Sequence, residues 1–145
     1  MRDALFAVLA LVGMMVAFVK LRSEIGGWDA LSKQYRCLAP FTGSSWRHES
    51  GRLRRYTFYR GYLIVGADPQ GLFLAVPMFH RLGHPPLFIP WRDIIVTRAK
   101  TLWVREVRFE VGQELRIPLT IGEALAQKLQ LAAGSSWPVE SNPSA

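Results

Sequence analysis

Sixteen consecutive residues, Ala4 to Val19 (ALFAVLALVGMMVAFV), carry no polar side chain. A helix that is apolar on every face has no easy burial inside an ordinary soluble domain. A bilayer accepts it: a spanning helix needs about 20 apolar residues, with a range near 17–25. Leu21 extends the run, and Lys20 and Arg22 can reach headgroups along their aliphatic stems. The flanks argue against a cleaved leader. Asp3 sits where a basic n-region belongs, and Phe18-Val19-Lys20-Leu21-Arg22 offers no small-x-small site. Residues 1–22 are therefore expected to be a retained transmembrane anchor flanked by Arg2, Lys20 and Arg22. Lys20, Arg22, Lys33 and Arg36 follow the run, against Arg2 and the amino terminus before it. The positive-inside rule then expects a single-pass protein of the plasma (inner) membrane with its domain on the cytoplasmic face.

The remainder of the 145 residues is enough for one small domain. Cys37 is the lone cysteine, which excludes an internal disulfide and a cysteine-built metal site. Residues 23–44 are expected to be a short amphipathic helix and linker. Trp28, Leu31 and Tyr35 recur at i, i+3 and i+7, Asp29 lies in the first turn, and Lys33 and Arg36 in the last. Ala39 to Gly51 reads as a loop. Beyond it the period becomes two. Strands are predicted at Arg52–Tyr59, Tyr62–Val65, Leu72–Val76, Leu87–Ile89, Ile94–Lys100, Trp103–Val111 and around Leu115–Leu119. Asp68-Pro69-Gln70-Gly71 suits a type I turn, Gly112-Gln113 a two-residue hairpin turn, and Pro90 excludes a central strand. The last strand alternates as a half-buried edge strand. Thr120-Ile121-Gly122-Glu123 reads as a capping box opening a helix with Ile121, Leu125 and Leu129 on one face, ending at Gly134. Residues 135–145 are expected to be a disordered tail.

About seven antiparallel strands in a bent barrel, followed by one amphipathic C-terminal helix, is an α+β, mostly β order. Over residues 45–134 it resembles the pleckstrin-homology-like (PH-like) superfold. The segments GGWDALSKQYR and GHPPLFIPW are similar to stretches of small uncharacterised bacterial single-pass membrane proteins that join an anchor helix to such a domain. This resemblance implies architecture and no chemistry.

Two regions stand out as candidate binding sites. The net charge is +7, and residues 20–60 hold nine Lys or Arg against three Asp or Glu. Arg52, Arg54 and Arg60 would share one strand face, with Arg55 on the other, and could meet anionic lipid. A solvated strand face would look the same. The loop Met78–Trp91, with Phe79, His80, Arg81, His84 and Trp91, has the composition of a protein-binding hot spot. No phosphate loop or nucleophile elbow is present, His48-Glu49-Ser50 is too local to imply a triad, and His80 and His84 lack companion metal ligands. The chain is expected to be a non-enzymatic, cofactor-free binding module: an adaptor, assembly factor or accessory subunit of a membrane complex, or alternatively an anionic-lipid-binding domain. A bilayer tether argues against nucleic acid.

Overall fold

A computed structural model describes residues 1–100 and 102–141. Helix α1 (Arg2–Gly26) takes up the whole apolar run and continues beyond it. Among the described residues it is the one helix long and apolar enough to cross a membrane, and none of its apolar window is buried. Gly27 ends it with φ 87°, in the left-handed region. A Cβ there would lie 2.9 Å from Arg54 Nε and 2.9 Å from Ile117 Cδ1, so a side chain would be both strained and obstructed. The same residue opens α2 (Trp28–Tyr35), its carbonyl accepting from Leu31 N–H at 3.1 Å. Thus two helices meet at one glycine with no linker between them.

Helix α2 packs on the domain. Trp28 and Leu31 are fully buried and belong to the main hydrophobic core, and the Tyr35 hydroxyl donates to Asp93 Oδ2 at 3.0 Å. Ser23 and Gly26 of α1 are buried too. Part of the 23–44 segment, expected outside the 45–134 domain, is therefore core.

Seven antiparallel strands curl into a half-barrel: β1 (Ser44–Leu53), β2 (Thr57–Ala67), β3 (Gly71–Ala75), β4 (Leu87–Pro90), β5 (Ile94–Lys100), β6 (Arg105–Val111) and β7 (Ile117–Gly122). Their order is β4-β3-β2-β1-β7-β6-β5. Inward positions alternate as the period requires, with Val107, Phe109 and Val111 on β6 and Ile117, Leu119 and Ile121 on β7. Helix α3 (Glu123–Ala133) closes the half-barrel with Leu125, Ala126 and Leu129. Both sheet edges are covered for a residue or two: Arg36 bridges Leu87 beside β4, and Ser141 runs parallel to Thr97 beside β5.

Six local expectations change. The predicted Arg52–Tyr59 strand does not exist, because the chain reverses at Arg54–Tyr56, with Arg54 at φ 54° and its N–H donating to Pro118 O at 2.7 Å. Strand β1 instead begins inside the expected Ala39–Gly51 loop and carries irregularities either side of Glu49. Gly112–Arg116 forms a longer loop than the two-residue turn expected, closed by Arg116 N–H on Gly112 O at 3.3 Å. Strand β7 is central, because β1 pairs with it. The capping box is absent: Thr120 stays in β7, Gly122 is the N-cap, and Glu123 faces Arg98 and Arg105, each at 3.7 Å. Finally, residues 135–141 of the expected tail lie on the domain. Trp137 packs against Trp91 and Phe109, and Glu140 accepts from Arg98 Nε at 2.7 Å. Residues 142–145 lie outside the described residues.

Candidate functional site at the joint of helix and half-barrel

The most unusual local chemistry gathers where α1 meets β2. Ser23 Oγ donates to the Gly83 carbonyl, and Arg54 Nη1 donates to the Ile25 carbonyl at 2.9 Å. The second contact places a cation on the unsatisfied carbonyls at the C-terminus of α1, where the helix dipole favours it. Gly26 approaches Thr57 so closely that a Cβ would lie 2.8 Å from Thr57 Cγ2. Arg22 lies over two rings, its Cζ 5.0 Å from the Tyr59 centroid and 5.8 Å from that of Tyr62. Its Nε is buried with no hydrogen-bond partner among the described residues.

Beneath Arg22 is a buried aromatic group. Trp28 sits 5.6 Å from Tyr59 and 5.1 Å from His84, and its Nε1–H donates to Pro85 O at 2.9 Å. His84 Nδ1 lies 3.1 Å from the Leu82 carbonyl, which can only accept, so Nδ1 carries the proton. His84 Nε2 then accepts from the Tyr59 hydroxyl at 3.1 Å. Burial pushes the Tyr59 phenol well above its ordinary value, with the Arg22 cation opposing it. Burial likewise pushes His84 below its ordinary value, against its Leu82 hydrogen bond, and the cation of Arg22 and the proximity of His80 lower it further. The imidazole is held neutral.

Two clefts flank α1 and meet at Phe18, Arg22 and Tyr62. The first, about 460 Å³, runs between α1 and β2 past Leu21, Ile25, Tyr56, Phe58 and Arg60. The second, about 270 Å³, lies toward the Pro77–Pro86 loop and is lined by Met15, Val19, Phe79 and His80. Among the described residues, Arg22, Arg54, Arg55 and Arg60 have no carboxylate within 4.0 Å. On β5, β6 and the loop before β7 the cations are paired, since Arg98, Arg105, Arg108 and Arg116 all meet glutamates. Positive charge is left uncompensated beside α1.

The residues singled out from sequence disperse. Arg52 and Arg60 do share a surface, lying 5.8 and 5.2 Å from the Phe58 ring centroid, but Arg52 is also 3.8 Å from Glu106. Arg54 turns away to cap α1, which corrects the three-arginine face. Of the expected hot spot, Phe79, His80 and Arg81 are exposed, with His80 stacked on Tyr62 at 4.7 Å. His84 and Trp91 are buried, which corrects their placement on a binding surface. Trp91 is a core residue whose Nε1–H donates to Asp68 O at 2.8 Å. Arg2 and Lys20 are exposed, whereas Arg22 is half-buried in the joint and not a free flank. His48, Glu49 and Ser50 go separate ways: His48 is exposed, Glu49 faces Lys128 at 3.4 Å, and Ser50 Oγ accepts from Gly61 N–H at 2.8 Å. Sequence reasoning missed Phe18, Tyr59 and Tyr62, because nothing in their spacing shows that α1 lies along β2. No group of three or more His, Cys, Asp or Glu residues able to hold a metal ion occurs among the described residues. No family model matches the chain, and no curated protein or solved structure does.

Proposed function

We propose that the chain is a single-pass membrane protein whose half-barrel is a non-enzymatic binding module for anionic lipid headgroups at the cytoplasmic surface. The observation that carries this reading is the α1–β2 cleft. Its α1 wall is largely apolar (Phe18, Leu21, Ile25), and Arg22 of α1 and Arg60 of β2 both line it. An apolar wall and a cation pair in one cleft offer a partner to each part of a lipid, its acyl chain and its phosphate. Each cation near an anionic leaflet contributes about 1 kcal/mol, and neither Arg22 nor Arg60 has a carboxylate partner among the described residues to compete with a phosphate. The sheet order with its closing helix supports a PH-like domain. A protein-binding site centred on Met78–Trp91 loses His84 and Trp91 to the core, so the lipid reading takes precedence.

The test uses the full-length protein. Its membrane fraction should resist alkaline carbonate. After purification in mild detergent, native mass spectrometry should show anionic phospholipid retained over zwitterionic. Arg60→Glu should reduce that preference about tenfold, and raising salt should weaken it in the wild type. Release by carbonate, or equal retention of the two lipid classes, would overturn the proposal.

A further inference from the structure

We infer that the Met78–Leu82 loop is a second membrane element, a wedge that enters the acyl layer beside α1. The inference rests on α1 spanning the bilayer, as proposed above, and its level along that helix carries the argument. Gly83 is fixed at the top of the apolar run: its Cβ position lies 3.6 Å from Lys20 Cα, and its carbonyl accepts from Ser23 Oγ. From there the loop reaches back along α1, where Phe79 and His80 share the second cleft with Met15, Phe18 and Val19. Met15 lies four residues inside the end of the apolar run. At 1.5 Å per residue this is about 6 Å below Val19, within the depth range of about 5–10 Å at which interfacial segments bury their apolar faces.

The loop has the chemistry that depth requires. Met78 and Phe79 are 78% and 91% exposed, and Leu82 is half exposed, so three large apolar side chains point away from the core. The polar side chains on the loop are exposed but each is held by a contact to the domain. His80 stacks on Tyr62, and Arg81 Nε donates to Val76 O at 3.4 Å. Three backbone donors of the loop and its C-terminal end are bonded locally, which lowers the cost of entering hydrocarbon. His80 N–H bonds Pro77 O at 2.9 Å, Arg81 N–H bonds Met78 O at 3.3 Å, and His84 N–H bonds Arg81 O at 2.8 Å. Pro77, Pro85 and Pro86 have no donor to lose.

Full-length protein carrying Cys37→Ser and a single new cysteine is labelled with an environment-sensitive fluorophore and reconstituted in vesicles of mixed anionic and zwitterionic phospholipid. Sites are Phe79→Cys, Met14→Cys within α1, and Glu114→Cys on the Gly112–Arg116 loop. Nitroxide at carbon 5 of the acyl chain should quench the label at 79 by at least half, approaching the loss at 14, and leave 114 unchanged. A label at 79 that behaves like 114 while 14 is quenched would overturn the wedge and leave the span intact. Loss of quenching at both 14 and 79 would sink the two together. Protection of 79 from aqueous iodide without lipid-borne quenching would assign the loop to a protein contact, and would equally overturn the inference.

Discussion

At the residue scale, His84 shows how a side chain typical of binding loops becomes structural. Its ring is enclosed by Trp28, Tyr59 and the loop carbonyl of Leu82, and both nitrogens are used. Protonation would turn the Nε2 acceptor into a donor facing the Tyr59 hydroxyl, close to the Arg22 cation. The folded state therefore prefers the neutral ring, and its pKa lies below the unfolded value of 6.5. This contribution to stability is complete above pH 6.5. It falls away as pH drops through that value toward the depressed folded one, with a limiting slope of about 1.4 kcal/mol per pH unit. Between pH 7 and 5 the wild type should lose stability in thermal unfolding of the detergent-solubilised protein, and His84→Gln should show a flatter profile. Equal slopes would remove His84 from this role. The sequence shows a histidine followed by two prolines, and nothing in that spacing distinguishes a ligand from a core residue. Trp91 is similar. Composition can identify a hot-spot residue type, but only the register of β3 and β4 reveals that Trp91 reaches the Asp68 carbonyl.

Elements were legible where periodicity is local and obscure where a partner strand decides. The Ile94–Lys100 strand, the Asp68–Gly71 turn with Asp68 Oδ1 accepting from Gln70 and Gly71 N–H, and the helix ending at Gly134 all follow from neighbouring residues. Strand β1 does not. Its sequence, SSWRHESGRL, has little alternation, and it becomes a strand because β2 and β7 supply ladders on both sides. Pro138 and the serines made 135–141 look like unstructured chain, yet Trp137 finds Trp91 at 5.3 Å and Phe109 at 5.7 Å. A large aromatic that buries part of its ring in such a cluster outweighs a low local propensity. Trp137→Ala should destabilise the domain by about 2–3 kcal/mol, below the ~3–5 typical of a fully buried Trp, as read from denaturant midpoints at unchanged m. An unaltered midpoint would mean that the segment adds nothing to the fold.

At the scale of the whole molecule, the order of strands followed by a closing helix was legible, but the boundary between helix and domain was not. The sequence suggests an anchor, a linker and a domain as separate parts. The structure shows a continuous body in which Ser23, Gly26, Trp28 and Leu31 are as buried as the half-barrel core. The reason is Gly27, a single left-handed residue that lets α2 fold back at once. Deleting residues 1–19 should therefore leave a cooperative domain. Deleting 1–31 removes two fully buried side chains, Trp28 and Leu31, at about 5–10 kcal/mol in total, comparable with the entire stability of a domain of this size. Heteronuclear NMR of the two truncations would separate the cases: dispersed resonances for both would show that α2 is dispensable.

That glycine hinge, packed tight between Arg54 and Ile117, has a mechanical corollary. A helix whose apolar length differs from the local hydrocarbon thickness relieves the mismatch by tilting. In a tethered domain on a slack chain the tilt would dissipate; here the half-barrel would be carried round with the helix axis as a lever arm. The surface it offers to other molecules would then depend on bilayer thickness, so the lipid composition of the membrane would set the domain's attitude.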